Sequence, residues 1–101
     1  MKVVIMQPLY IPWIGYFSLM DLADVFVFYD DVQFEGKYQQ RNDIKTANGV
    51  QVLSIPIVHN YPQNINEVKI VPSYHWMKDH WKSIEQSYSK APYFDKYGYV
   101  I

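Results

Sequence analysis

The hydrophobic and polar positions of the first thirty residues predict a strand, a short helix and a second strand. The run from Lys2 to Met6 is short and β-branched, which is typical of a buried strand. After Gly15, several apolar residues of "YFSLMDLAD" recur on one helical face. The run from Val25 to Asp30 is apolar on both faces, as expected for a strand in the middle of a sheet. This order predicts a βαβ unit with parallel strands and a right-handed crossover.

The connection between the first strand and the helix is an uncharged, aromatic loop, "MQPLYIPWIGYF", from Met6 to Phe17. Pro8 and Pro12 exclude regular structure between them, because proline has no backbone N–H to donate. In open α/β sheets, ligands bind outside the carboxyl ends of the strands, which is where this loop begins. The loop is therefore either an irregular piece of core or the edge of a binding site.

The middle of the chain predicts an antiparallel hairpin followed by a further strand. Asn48-Gly49 is a strong turn signal, flanked by "RNDIKTA" and by a segment that alternates from Val50 to Ile55. Pro56 fits a strand end or a sheet edge. "HNYPQN" reads as a loop, and the loosely alternating "INEVKIV" predicts a strand over residues 65–71.

The last third predicts one long helix. Ser73 is a plausible N-cap, and apolar residues from Trp76 to Tyr88 follow at helical spacing until Pro92. The tail, "YFDKYGYVI", is again aromatic and apolar. The predicted fold class is α/β, with a Rossmann-like start, a hairpin and one long helix. We expect a single domain over residues 1–101, and the aromatic, apolar tail suggests a fragment or a shortened chain.

Composition narrows the possible partners. A net charge of -1 and a pI near 6.2 give no long-range electrostatic reason to expect nucleic acid or an anionic membrane. No apolar run approaches the ~20 residues of a membrane span, and the absence of cysteine fits a cytoplasmic protein. The aromatic content of 18%, with ten tyrosines, favours some exposed aromatic surface. We therefore also expect self-association.

Familiar catalytic and metal-binding motifs do not occur in the sequence. His59, His75 and His80 share no metal-ligand spacing, and cysteine ligands are absent, so we predict no metal site. The chain contains no GxSxG, Walker or GxGxxG motif, so no cofactor is identified.

A polar constellation surrounds the predicted carboxyl edge of the sheet. Asp30 and Asp31 follow the second strand, and Arg41 offers a rigid fork of donors suited to a carboxylate or phosphate. Alternatively, the aspartates are turn residues and the arginine is a solvated or ion-paired strand residue. The candidate ligand-binding residues are Gln7, Tyr10, Trp13, Gly15, Tyr16, Asp30, Asp31, Gln33, Arg41 and Asn42.

The chain resembles the WbqC-like family of bacterial proteins over nearly its whole length. The resemblance rests on "QPLYIPWIGYF", "ADVFVF", "DDVQF", the Arg41-Asn42 pair and "YSKAPYF" in that order. Some members lie in gene clusters for O-antigen and surface-polysaccharide synthesis. The resemblance therefore implies glycan modification as the context, with transfer of an amino acid such as glycine to a sugar as one suggested role. It implies a small-molecule substrate (an activated sugar, a nucleotide or an amino acid) without identifying a catalytic residue.

A more distant resemblance links the loop to HIGH-type nucleotidylyltransferases, which carry H-x-G-H at this helix N-terminus. Their histidines and the helix dipole stabilise phosphate charge in the transition state. Here "WIGY" places Trp13 and Tyr16 at the histidine positions, and neither side chain can be cationic. Three hypotheses stay open: a transferase, a diverged nucleotide-binding protein, and a non-catalytic binding or scaffold module.

Overall fold

The N-terminal βαβ unit forms as the hydrophobic pattern predicts. In the computed structural model, which describes residues 1–98, β1 spans Val3–Met6, α1 spans Ile14–Leu22 and β2 spans Val25–Phe28. β1 and β2 pair in parallel along their full length. The parallel start and the α/β fold class are thus confirmed.

The two faces of this strand pair differ. On one face, Phe26 meets the ring of Tyr16 from α1 edge-on, with 5.4 Å between ring centroids. The opposite face presents four aligned aliphatic side chains that are 41–58% exposed: Val3, Ile5, Val25 and Val27. The prediction of a buried first strand is therefore wrong for this face. The prediction of a second strand in the middle of a sheet is also wrong, because among the described residues β2 pairs only with β1. The described residues build one helical layer on a two-stranded sheet, whereas a run apolar on both faces suits layers on both sides.

The predicted hairpin is present. β3 spans Arg41–Thr46 and β4 spans Gly49–Ser54, and the two strands pair with each other. Gly49 has a backbone φ of 112°, which residues with a side chain rarely adopt. This explains why a glycine stands at the end of this turn. The Thr46 hydroxyl donates a hydrogen bond to the Gly49 carbonyl at 2.8 Å and so closes the turn.

The segment predicted as a strand over residues 65–71 is only partly one. Ile65–Glu67 is a single turn of 3-10 helix, and the strand β6 is limited to Lys69–Ile70. β6 pairs antiparallel with β5, Ile57–Val58. The Glu67 side chain accepts a hydrogen bond from the Asn64 backbone N–H at 3.1 Å. This local helix-start contact outweighs the loose alternation of apolar residues.

Two helices complete the described chain: α2 spans His75–Tyr88 and α3 spans Phe94–Tyr97. The prediction of Ser73 as N-cap is wrong, because Tyr74 occupies that position. The Ser73 hydroxyl instead accepts a hydrogen bond from the His75 backbone N–H at 3.3 Å. The last three residues of the predicted aromatic tail, 99–101, lie outside the described residues.

The chain divides into two compact units. The first contains residues 1–42 and 54–71, and the second contains residues 43–53 and the chain from Pro72 onward. In the second unit, the Tyr88 hydroxyl accepts a hydrogen bond from the Lys45 backbone N–H at 2.9 Å. Within residues 1–98, no helix is both long and apolar enough to cross a membrane. The same residues contain no group of three His, Asp or Glu side chains placed to hold a metal ion.

Candidate functional site

The loop after β1 is fixed to its own helix and to a distant glutamine. The Tyr16 hydroxyl donates a hydrogen bond to the Gln7 backbone carbonyl at 2.9 Å, and the Gln39 side chain donates one to Gln7 Oε1 at 2.9 Å. Tyr16 is 2% exposed. Burial raises the pKa of the Tyr16 phenol above its ordinary value, because the phenolate would lose its hydration. Tyr16 therefore acts as a neutral pin between helix and loop.

Asn42, at the start of β3, holds the centre of the same loop. Its side-chain amide donates to the backbone carbonyls of Tyr10, at 3.1 Å, and Ile11, at 2.7 Å. Ile11 has a φ of 45°, which is unfavourable for a β-branched residue. The Tyr10 backbone N–H in turn donates to the Tyr38 carbonyl at 3.0 Å. Burial raises the pKa of the Tyr10 phenol. These contacts over-determine a strained backbone, as is common at functional sites.

Trp13 lies flat against Gly15 at the beginning of α1. A Cβ atom added to Gly15 would fall 1.4 Å from Trp13 Cζ3, so the indole occupies the space that any side chain would need. Trp13 is nevertheless 60% exposed. One side of the ring is therefore held by the helix start while much of the rest faces solvent.

These contacts surround an open cleft of about 390 Å³, within the size range of small-molecule sites. Among residues 1–98, none of the side chains that line it carries a formal charge, and two of them, Trp13 and Tyr38, are exposed aromatic residues. The lining residues are Leu9, Pro12, Trp13, Tyr38 and Asn42. The cleft lies beside the loop that leaves the carboxyl end of β1, where α/β sheets bind ligands.

Three of the sequence candidates belong to a different neighbourhood. The Asp30 backbone carbonyl accepts a hydrogen bond from the Asn66 backbone N–H at 3.0 Å. Gln33 pairs with Asn64 in an isolated β-bridge, and its side-chain amide donates to the Tyr61 hydroxyl. Asp31 lies between them in sequence and is exposed. The segment that contains Asp30, Asp31 and Gln33 therefore contacts residues 61–66, and its hydrogen bonds go there and not to the residues of the cleft.

Arg41 and Asn42 are separated by strand geometry. Asn42, Ile44 and Thr46 form the more buried set of alternate residues in β3, whereas Arg41 belongs to the exposed set. Successive side chains of a strand point to opposite faces. Arg41 therefore points away from the face on which Asn42 holds the loop. Of the sequence candidates, the structure brings together Gln7, Tyr10, Trp13, Gly15, Tyr16 and Asn42.

Four contributors were not among the sequence candidates: Leu9 and Pro12 within the predicted loop, and Tyr38 and Gln39 outside it. The last two need a separate explanation. Both lie in the aperiodic segment between β2 and β3, and Gly36, with a φ of 70°, shapes its course. The only sequence signal was that this polar insertion follows the second strand. A ring cluster elsewhere in the first unit includes His59, whose buried Nε2 has no hydrogen-bond partner among the described residues. Its ring meets Phe34 edge-on, with 4.9 Å between centroids.

Two other concave regions are less suited to a polar ligand. One, of about 200 Å³, has a mainly apolar lining that includes Phe34, Ile55 and Ile65. The other, of about 460 Å³, is a shallow depression in the second unit around Tyr93 and Tyr97. Of these three regions of the described chain, the cleft beside Trp13 joins aromatic faces to a network of hydrogen bonds.

Comparison with known proteins agrees with the motifs that form the cleft. Residues 7–101 match the model of the WbqC-like protein family, so the match begins at Gln7, near the start of the loop. The chain belongs to the WbqC-like protein family. It is also similar to "Uncharacterized protein Rv1507c" of Mycobacterium tuberculosis, with 40% identity over 96 residues. That alignment covers 92% of this chain and 41% of the relative, so the WbqC-like chain spans less than half of the relative's length. No solved structure matches the chain.

Proposed function

We propose that this WbqC-like protein supplies a small-molecule binding cleft to a transferase of polysaccharide-related biosynthesis. The observation that carries the proposal is the cleft beside Trp13, whose loop Asn42 holds in a strained conformation. Backbone strain that is stabilised by several contacts is a mark of functional sites. The family relationship supports the biosynthetic context. The more specific reaction, amino-acid transfer to a sugar in O-antigen modification in the cytoplasm, is part of the same proposal.

The geometry favours this reading over a nucleotidylyltransferase-like site. In that class, cationic groups at the helix N-terminus stabilise phosphate. Here the two corresponding side chains are neutral, and Tyr16 already donates its hydroxyl hydrogen to Gln7. Trp13 itself fills the space above Gly15 that a phosphate would approach. The loop corresponds in position to the H-x-G-H loop of those enzymes but lacks the cationic side chains that stabilise phosphate there.

Ligand titration tests the proposal directly. Nucleotide-sugars, free sugars, nucleotides and amino acids are added singly to the whole chain while melting temperature and tryptophan emission are recorded. A compound at 100 times its dissociation constant should add about 2.7 kcal/mol to the unfolding free energy. A positive compound should lose its effect in Trp13→Ala, whereas Tyr74→Ala, at a 79% exposed position outside the cleft, serves as the matched control. If no compound of these classes shifts either signal, the proposal fails.

The exposed sheet face favours a second candidate role, as a module that self-associates. Four aligned aliphatic residues of β1 and β2 remain exposed on that face. Parallel strands are ordinarily covered on both faces, so a second copy of the chain would gain by covering them. We propose that the chain self-associates through this face and that it binds its ligand in the cleft as well. Light scattering across a concentration series tests it, and a monomer at every concentration would exclude it.

A further inference from the structure

We propose that the cleft beside Trp13 accepts an uncharged pyranose ring stacked on the Trp13 indole, in preference to a phosphate or a carboxylate group. This inference rests on the proposed function and names the part of the substrate that this cleft receives. Gly15 is assigned a positioning role, because it sets the indole's orientation.

The indole is a prepared platform. Because the ring occupies the place of a Gly15 side chain, it lies against the first turn of α1. Its 60% exposure leaves a broad part of it available to a ligand. A side chain that is already held in place loses little conformational freedom on binding. Trp13 therefore combines a large contact area with a small ordering cost.

The chemistry of an aromatic face matches one face of a sugar ring. The π face carries partial negative charge. The ring carbons of glucose and N-acetylglucosamine each bear an electronegative oxygen or nitrogen, so their C–H hydrogens carry partial positive charge and are attracted to that face. Tyr38, 55% exposed, adds a second aromatic wall. The Tyr38 backbone carbonyl accepts a hydrogen bond from the Tyr10 backbone N–H. This bond joins the segment that contains Tyr38 to the loop after β1.

The described residues that line the cleft include no cation. All five are neutral. The Asn42 side-chain amide donates both of its hydrogens to the loop carbonyls, so these donors are committed to structure. Two cations are adjacent in sequence to lining residues. Arg41 belongs to the opposite face of β3, and Lys37 forms an ion pair with Glu35 at 3.7 Å. A phosphate or carboxylate bound here would lose hydration without gaining the charge of a partner cation, a cost that the neutral donors of the Trp13 indole and the Tyr38 hydroxyl only partly offset.

The volume of the cleft is also informative. At about 390 Å³, it is near the lower end of small-ligand pockets, which run from ~300 to ~1,000 Å³. This size favours a single substituted ring over a complete nucleotide-sugar. The remainder of an activated substrate would then extend outside the cleft.

The test compares neutral sugars with anionic probes on the whole chain. Methyl glucoside and N-acetylglucosamine are titrated beside inorganic phosphate, uridine monophosphate and glycine, using saturation-transfer NMR and tryptophan emission. We expect the sugars alone to change tryptophan emission, the readout that also covers inorganic phosphate. Among the probes with C–H hydrogens, we expect the sugars alone to receive saturation, strongest on one ring face. Trp13→Ala should weaken sugar binding by about tenfold, the scale of one lost aromatic stacking contact. Trp13→Phe should retain most of the affinity, and Tyr74→Ala should leave it unchanged.

The outcomes separate this inference from the broader proposal. Trp13-dependent binding of phosphate, uridine monophosphate or glycine without sugar binding would overturn the inference and leave the proposed function standing. Sugar binding that is equal in Trp13→Ala and the unmodified chain would overturn the stacking geometry. No binding by any probe would remove both. Circular dichroism of each variant, with Trp13→Phe as the conservative replacement, verifies that lost binding does not reflect lost folding.

Discussion

Replacing Gly15 with alanine should displace the Trp13 ring while leaving the fold intact. The added Cβ would lie 1.4 Å from Trp13 Cζ3 and 2.2 Å from both Cε3 and Cη2. None of these separations is tolerable for non-bonded carbon atoms. Trp13 is mostly exposed, so the ring can swing outwards at a lower cost than moving α1. The substitution therefore probes the ring's position more than the protein's stability.

The magnitude follows from two opposing terms. Gly15 is the second residue of α1, and alanine is preferred over glycine in a helix by about 1 kcal/mol. Trp13 is 60% exposed, which leaves about 40% covered. Taking a full tryptophan burial as ~250 Å², the covered part is ~100 Å², worth at most ~2.5 kcal/mol at ~25 cal/mol per Å². The net loss of unfolding free energy should therefore not exceed ~1.5 kcal/mol.

Fluorine NMR of protein labelled with fluorotryptophan provides the assay. The three tryptophans give separate signals, and the one missing from Trp13→Phe identifies Trp13. In Gly15→Ala that signal alone should shift, and sugar affinity should fall with it. Ile14→Ala, at the adjacent and 83% exposed helix position, controls for a general change in α1. An unmoved Trp13 signal with unchanged binding, together with a full ~1 kcal/mol gain in stability, would refute the reasoning.

Three further perturbations test other parts of the structure. Asn42→Ala should remove the two amide hydrogen bonds that hold the loop and lower the unfolding free energy by about 1–3 kcal/mol in a urea titration; an unchanged midpoint would contradict the pinning role. Because burial raises the pKa of Tyr16 above 10.0, the folded state holds this proton more tightly than the unfolded chain. That stability is fully present below pH 10 and is lost as the pH rises through the raised pKa, so Tyr16→Phe should make the alkaline fall in melting temperature shallower; Tyr10 should retain part of the fall, and an identical profile would contradict the assignment. Ile5→Thr should reduce any self-association seen by light scattering, because it places a hydroxyl on the exposed sheet face, and undiminished association would exclude that face.

The elements with strong periodicity could be predicted from sequence. β1, β2 and α2 follow from runs and spacings that suit one backbone geometry each. Asn48-Gly49 marked the hairpin because glycine alone accepts its φ of 112° without strain. Weak periodicity was misleading in "INEVKIV", where the contact between Asn64 and Glu67 starts a helical turn. Ser73 was likewise one position away from the residue that caps α2.

The sequence predicted where the candidate site lies. It did not predict which residues form it. The rule that ligands bind at the carboxyl ends of parallel strands led to the loop from Gln7 to Tyr16. It did not distinguish Asn42, which holds that loop, from Arg41, its neighbour in sequence. Tyr38 and Gln39 carried no periodic signal at all.

The sequence by itself determined the βαβ start, the hairpin, the long helix and the family, because local periodicity and an ordered motif express these directly. Three features were decided only by the tertiary structure. The Trp13 ring lies on Gly15, and the Tyr16 hydroxyl donates its hydrogen to the Gln7 carbonyl. The polar candidate residues divide between the cleft and the 61–66 segment. The first two features are short-range contacts within the loop and the start of α1, and the third depends on hydrogen bonds between residues about thirty positions apart, such as Asn42 with Tyr10. The path of an aperiodic loop is set by such partners, and nothing in its own spacing specifies which partner it will meet.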